Sequence, residues 1–273
     1  MIEGDAGQLL PFLKWAGGKR WLVAARPELF AFDEERFIEP FLGSGAVYFY
    51  VRPSRAVLSD VNRELISTYS AIKRNWPSVQ SALEDHAKSH SAKHYYKTRS
   101  AVDLKSSVLK AARFIYLNRT CWNGLYRVNR QGQFNVPIGT KTNVLLSTDD
   151  FQDASKLLKG AALHCRDFEE TVDESSGGDF LFVDPPYTVK HNLNGFIKYN
   201  EKLFSWEDQI RLKKSLVRAD RRGVKILMTN ADHASIRELY SGKFRLDSAE
   251  RNSVLAGVNR GRGKVTELII RNW

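Results

Sequence analysis

The chain has 273 residues, 42% of them hydrophobic, which suffices for one or two domains with a real core. No apolar run is long enough to span a bilayer. The opening Met1-Ile2-Glu3-Gly4-Asp5 lacks the pattern of a secretory signal, and two cysteines, Cys121 and Cys165, are too few for a disulfide framework or a structural zinc site, so a cytoplasmic protein with ordinary thiols is expected. Net charge is +11, and the excess is local: between His86 and Thr148 there are 11 Lys or Arg against one acid, Asp103, while the remainder carries 31 basic and 30 acidic residues. A segment so depleted of acids favours contact with phosphate over a solvated helix surface, which mixes both signs.

In chain order, Arg36 to Pro40 reads as a buried strand ending at Pro40, Gly45 to Val51 as a short helix, and Arg55 to Ser59 as a second strand. This spacing suggests a βαβ unit of a parallel sheet. From Val61 to about Phe151 polar helical patterns dominate, among them Leu65 to Asn75 and Ser107 to Asn118. His86, His90 and His94 have helical spacing and read as a solvated helix face rather than a metal site; no metal is expected. Alternating apolar residues on both sides of Asn129 to Gly132 predict a β-hairpin. Strands are then expected at Ala162 to Arg166, Phe180 to Val183, Val224 to Met228 and Val265 to Arg271, with helices at Trp206 to Arg222 and His233 to Tyr240. The expected architecture is a doubly wound α/β sheet, residues 1–61 and 160–273, interrupted by a basic insertion at 62–159 with helices and a hairpin.

The sharpest motif is Asp184-Pro185-Pro186-Tyr187 directly after the apolar strand Phe180 to Val183. Two prolines end the strand and remove two amide donors, leaving nearby carbonyls to point outward. Asp184 stands at the strand's carboxyl end, where open α/β sheets bind ligands. An exocyclic adenine amine is a poor nucleophile because its lone pair is delocalised into the ring. Two acceptors on its hydrogens, Asp184 and the Pro185 carbonyl, would favour a pyramidal nitrogen, and Tyr187 could stack on the base; a plain strand-ending turn with a core tyrosine is the alternative.

Two further motifs accompany it. Phe37 to Gly45 carries a Gly43-x-Gly45 pair at the end of the first strand, lacking the third glycine of a dinucleotide fingerprint, where Tyr48 stands instead. Asp60, at the end of the second strand, suits ribose hydroxyls, with an N-cap of the following helix as competitor. Phe12 to Arg20 holds Gly17-Gly18 beside Lys14, Lys19 and Arg20, with the spacing of a P-loop absent.

With Phe-Leu-Lys-Trp-Ala-Gly-Gly-Lys, Glu-Pro-Phe-Leu-Gly-Ser-Gly and Asp-Pro-Pro-Tyr in this order, the chain resembles the Dam-type DNA adenine methylases of the alpha group of amino-methyltransferases. Leu117-Asn118-Arg119, Asn123 to Arg127, Phe134 to Pro137 and the closing stretch from Arg251-Asn252-Ser253 to Leu268 add to the likeness, which covers nearly the whole chain. The resemblance implies a Rossmann-like fold and S-adenosylmethionine (SAM) as methyl donor. Trp15, Ala16, Gly17, Lys19, Gly43 and Gly45 would hold its methionine part, Asp60 its ribose, and Asp167 and Phe168 its adenine, with Phe41 also binding the cofactor and Asp184 facing donor and target alike. Asp184, Pro185 and Tyr187 would hold an adenine flipped out of duplex DNA.

The hairpin Asn123 to Pro137 corresponds to the family's DNA-reading element. Arg127 would read a guanine edge, Leu125 and Pro137 would touch a thymine methyl or nearby bases, and Trp122 would wedge into the duplex. Lys14, Arg119, Asn123 and Asn135 complete the expected DNA contacts. The resemblance implies GATC as target and a monomer acting in a prokaryotic or phage-infected cell, within a restriction-modification system or outside one. Rivals are methylation of RNA adenine, of cytosine N4 (usually Ser at position 184) or of a protein glutamine (often Asn), a DNA-binding module without catalysis, and a nucleotide hydrolase built on Gly17-Gly18-Lys19.

Overall fold

The computed structural model describes residues 8–31, 33–129, 131–190, 204–252 and 264–273. Arg130 of the hairpin, Ser253 of the closing stretch and the acidic start at residues 1–5 lie outside the described residues.

Among the described residues seven strands form one sheet: β1 (Arg36–Glu39), β2 (Ala56–Asp60), β3 (Ala161–Cys165), β4 (Asp179–Val183), β5 (Lys225–Ala231), β6 (Arg245–Asn252) and β7 (Lys264–Arg271). Their order is β3-β2-β1-β4-β5-β7-β6. β2, β1, β4 and β5 run parallel, and β7 pairs antiparallel with both β5 and β6. The helices are α1 (Arg20–Ala25), α2 (Ala46–Val51), α3 (Arg63–Ser89), α4 (Ala92–Ser100), α5 (Ser107–Thr120), α6 (Phe151–Leu158), α7 (Phe168–Asp173), α8 (Trp206–Arg221) and α9 (Ala234–Tyr240). This is the expected mixed α/β, Rossmann-like sheet.

The chain divides into two compact units. One comprises Met1–Arg20, Leu42–Ser54 and Asp60–Cys165; the other comprises Trp21–Phe41, Arg55–Ser59 and Arg166–Trp273. The second unit owes its core to the near-continuous apolar strands typical of parallel sheets covered by helices. Ile38, Leu181, Val183, Ile226, Met228, Leu268 and Ile270 pack with Val172 of α7, Leu212 and Leu216 of α8, and Ile236 of α9.

The structure alters one sequence expectation, the hairpin, and adds two features that the sequence did not show. Pro77 interrupts α3, and Asn75 (φ −154°, ψ 58°) marks a kink between two helical stretches, because proline lacks the amide and its ring clashes with the preceding turn. Among the described residues the Asn123–Pro137 hairpin holds one isolated bridge, Val128 opposite Phe134, with another just outside it, Cys121 opposite Ile138, instead of two continuous strands. The strand β6 was not foreseen; its RLDSAERN sequence is polar because it is an edge strand, and it forms through pairing with β7 rather than through burial.

The histidines also depart from expectation. They do not share one helix face: His86 lies on α3, His90 caps it and His94 lies on α4. His86 Nδ1 meets His94 Nε2 at 2.9 Å, His90 Nδ1 meets the Tyr116 hydroxyl at 2.9 Å, and the His86 ring stacks on Tyr116 at 4.6 Å. Among the described residues no group of His, Cys, Asp and Glu could hold a metal, and no helix is long and apolar enough to cross a membrane.

Candidate active site

The strand order reverses between β1 and β4, and in an open α/β sheet the carboxyl ends beside such a switch point are where ligands bind. Both sequence motifs start there: Pro40 to Gly45 follows β1, and Asp184 to Tyr187 follows β4.

In the first unit the glycine turn is built around Asp60. Its Oδ2 accepts the Gly43 amide at 3.2 Å and its Oδ1 the Asn62 amide at 2.9 Å. The helix cap is Asn62, whose side chain accepts the Leu65 amide, so Asp60 is not the cap of α3. Burial pushes the Asp60 carboxyl above the ordinary aspartate range, and the amides of Asn62, Gly43 and Val61 offset part of that shift. Gly43 has φ +47°, and a Cβ on it would stand 2.8 Å from the Trp15 indole, so neither the backbone nor the space admits a side chain. The Tyr69 hydroxyl donates to the Gly43 carbonyl at 3.0 Å and fixes the same turn from α3. Gly45, also left-handed, caps α2. Lys19 is buried and donates to the Gly17 carbonyl at 2.6 Å, while Ala16 and Gly17 are exposed beside it.

In the same unit the Asn118 side chain brackets the Lys14 peptide, accepting its amide and donating to its carbonyl, each at 2.8 Å. Lys14 is held below the ordinary lysine range by burial and by the charges of Lys141 and Arg119. Trp122 is 54% exposed, which excludes a core role. Asn123 and Pro137 are exposed, and Leu125 is half-buried. Arg127 Nε donates to Asn135 Oδ1 at 2.9 Å, and the Asn135 amide donates to the Arg127 carbonyl at 3.1 Å.

Arg119 is the exception among the expected DNA contacts. It is fully buried, pairs with both oxygens of Asp149 at 2.7 and 2.6 Å, and donates to the carbonyls of Phe12 and Val144. A guanidinium so enclosed cannot reach a phosphate; Arg119 ties the N-terminal segment, α5 and the 144–149 loop together.

In the second unit Phe168 is buried against Phe41, their rings stacked at 5.4 Å and 23°, with the Arg211 guanidinium 4.4 Å from the Phe168 ring centre. Asp167 caps α7, and both its oxygens accept Arg211, at 2.9 and 3.0 Å. A carboxylate has about four acceptor positions, so Asp167 keeps capacity for another donor.

At the end of β4, Asp184 Oδ1 accepts the Thr229 hydroxyl at 2.7 Å from the neighbouring strand β5. The Tyr187 hydroxyl donates to Glu267 Oε2 at 2.7 Å, and Arg251 pairs with the other Glu267 oxygen. Burial, then the negative charges of Asp184 and Glu267, raise the Tyr187 phenol well above its usual range, so it stays a neutral donor. The sequence reading did not single out Thr229, Arg211 or Glu267, which partner Asp184, Asp167 and Tyr187. Only Glu267 left a signal, a buried acid inside the apolar run Val265 to Ile270.

Within the first unit the buried Lys19 beside the glycine turn suits a carboxylate and Asp60 suits vicinal hydroxyls; within the second the stacked Phe41 and Phe168 beside Asp167 suit an aminopurine.

Residues 15–254 match a family described as D12 class N6 adenine-specific DNA methyltransferase. The type II methyltransferase M1.LlaDCHI of Lactococcus lactis subsp. cremoris is 36% identical over 281 residues, covering 100% of this chain and 99% of the relative. The type II methyltransferase M.MjaIII of Methanocaldococcus jannaschii is 34% identical, covering 97% of this chain and 100% of the relative. The DNA adenine methylase of Escherichia coli K12 is 30% identical, covering 94% of this chain and 93% of the relative.

Proposed function

The chain belongs to the D12 class of N6 adenine-specific DNA methyltransferases, and on that premise we propose that it methylates the exocyclic N6 of an adenine flipped out of duplex DNA, with SAM as donor and GATC as target. SAM supplies an electrophilic methyl group on a sulfonium. The protein supplies position and hydrogen-bond acceptors, and holding two reactants in line can contribute about 7–11 kcal/mol of barrier lowering.

The observation that carries this reading is Asp184 at the end of β4 with Oδ1 fixed by Thr229. Its second oxygen and the Pro185 carbonyl are the two acceptors for the amine hydrogens, and this pulls the nitrogen lone pair out of the ring. Tyr187, its hydroxyl tied to Glu267, stacks on the base. Trp15, Ala16, Gly17, Lys19, Phe41, Gly43, Gly45, Asp60, Asp167, Phe168 and Asp184 hold the cofactor. Residues 62–159 carry target recognition, and residues 1–61 and 160–273 carry catalysis. Lys14, Trp122, Asn123, Leu125, Arg127, Asn135 and Pro137 contact DNA, with Arg127 reading guanine. The protein acts as a monomer in the cytoplasm of a prokaryotic or phage-infected cell.

The test is methyl transfer from labelled SAM to two duplexes, one with GATC and one with it scrambled. Labelled N6-methyladenine in the first alone is expected. Label in both discards GATC, and label in neither discards the reading. Asp184→Ala is expected to abolish transfer while leaving SAM binding in place; full activity in that variant removes Asp184 from its role.

A further inference from the structure

Tyr126 stands one residue before Arg127, and side chains alternate along an extended segment, so the two take opposite faces. Arg127 turns to Asn135. Tyr126 turns to Trp15, the two rings stacked at 5.6 Å and 22°, and packs beside Phe114 and Phe134. Its hydroxyl donates to Glu64 Oε2 at 2.9 Å.

Both anchors adjoin the cofactor turn. Trp15 fills the space over Gly43, leaving no room for a Cβ there. Glu64 opens α3 four residues after Asp60 and is met by Arg113, which is itself fixed by the carbonyls of Thr98 and Arg99. All of these residues lie in one compact unit. A side chain tied at its ring to Trp15 and at its hydroxyl to the start of α3 cannot hold its place if either anchor moves. Its own movement displaces the next residue, Arg127.

We propose that Tyr126 is a positioning residue that couples cofactor binding to target reading: the cofactor orders Trp15 and the Gly43–Asp60 turn, Tyr126 transmits that order to Arg127, and cofactor and duplex each strengthen binding of the other. The inference rests on the cofactor and Arg127 assignments above. Coupling of this kind is reciprocal, so each ligand must raise the affinity of the other by the same factor.

The experiment measures duplex affinity by fluorescence anisotropy with and without S-adenosylhomocysteine, and S-adenosylhomocysteine affinity by calorimetry with and without the GATC duplex. The full chain is used in the wild-type form and as Tyr126→Leu and Tyr126→Phe. Wild type is expected to show a coupling factor of about fivefold or more in both directions. Tyr126→Leu is expected to bring it below about twofold, and to lose preference for GATC over the scrambled duplex chiefly when S-adenosylhomocysteine is present. A merely structural role would lower stability without moving this ratio, because both affinities come from the same variant.

A wild-type factor of one overturns the proposal, as does an unchanged factor in Tyr126→Leu. Should that variant not fold, Tyr126→Phe decides: it keeps the ring, loses the bond to Glu64, and a factor equal to wild type overturns the proposal. Wild-type protein that binds neither ligand overturns the functional reading itself, and this proposal with it.

Discussion

Replacing Arg119 with methionine keeps the apolar stem and removes a guanidinium that is fully buried. The change takes two charged donors from Asp149, two from the Phe12 carbonyl and one from the Val144 carbonyl. Asp149 keeps the Leu146 amide at 2.8 Å, and its side chain is 9% exposed, so water replaces little of what it loses. Breaking a buried ion pair by deleting one partner costs about 3–5 kcal/mol. The two deprived carbonyls place Arg119→Met toward the middle of that range, about 4 kcal/mol, against a total stability of roughly 5–15 kcal/mol for an ordinary domain.

Urea unfolding at neutral pH measures this as a lowered midpoint at constant slope. Arg119→Met with Asp149→Leu, which removes both charges together, is expected to recover most of the loss, because the penalty resides in the abandoned carboxylate. A single-variant loss below about 1 kcal/mol would refute the scaffold assignment. So would normal stability combined with a shallower salt dependence of DNA binding, the signature of a lost phosphate contact.

Three other substitutions probe the site and the insertion. Thr229→Val removes the donor that fixes Asp184, and a hydrogen bond to a charged group is worth about 1.5–3 kcal/mol. The turnover rate is therefore expected to fall roughly 10–100-fold with SAM affinity unchanged and Thr229→Ser restoring activity; wild-type turnover in the valine variant would show that Asp184 needs no such support. Arg127→Ala is expected to relax sequence choice more than it weakens non-specific DNA binding, costing about 1–3 kcal/mol on the cognate site. An equal loss on cognate and scrambled duplexes would make Arg127 a phosphate contact. Burial, then the neighbouring His94, lowers the His86 imidazole to about 4 against the opposing charge of Asp85. The unfolded chain takes up that proton near its ordinary value, about 6.5, so between these two pH values it binds more protons than the folded one and stability falls as pH falls. His94, His90, Tyr116, Thr98 and Lys97 surround the group. Melting temperature is expected to decline over this window in wild type and more shallowly in His86→Gln; parallel profiles would remove His86 as a source.

Local chemistry made the strands and the chemical motifs legible. Phe180 to Val183 is apolar without interruption because a central parallel strand is buried on both faces, and two prolines after it can only mean a stop. Gly43 follows a strand of the same kind and Asp60 ends another, so each motif could be assigned to a strand end before the strand order was known. The edge strand β6 was not legible, since its residues are polar and it is sustained by pairing with β7 rather than by burial of an apolar face.

The sequence determined which residues stand at the carboxyl ends of β1, β2 and β4, and with them the family and its chemistry. Only the tertiary structure decided that Thr229 meets Asp184, that Arg211 lies over Phe168, that Tyr126 joins Trp15 to Glu64, and that Arg119 faces Asp149 instead of solvent. In each case the partners lie 43 or more residues apart or, for Arg119, across a loop. Whether an arginine there is a DNA ligand or a buried tie depends on which carboxylate the fold brings to it, and no local pattern encodes that.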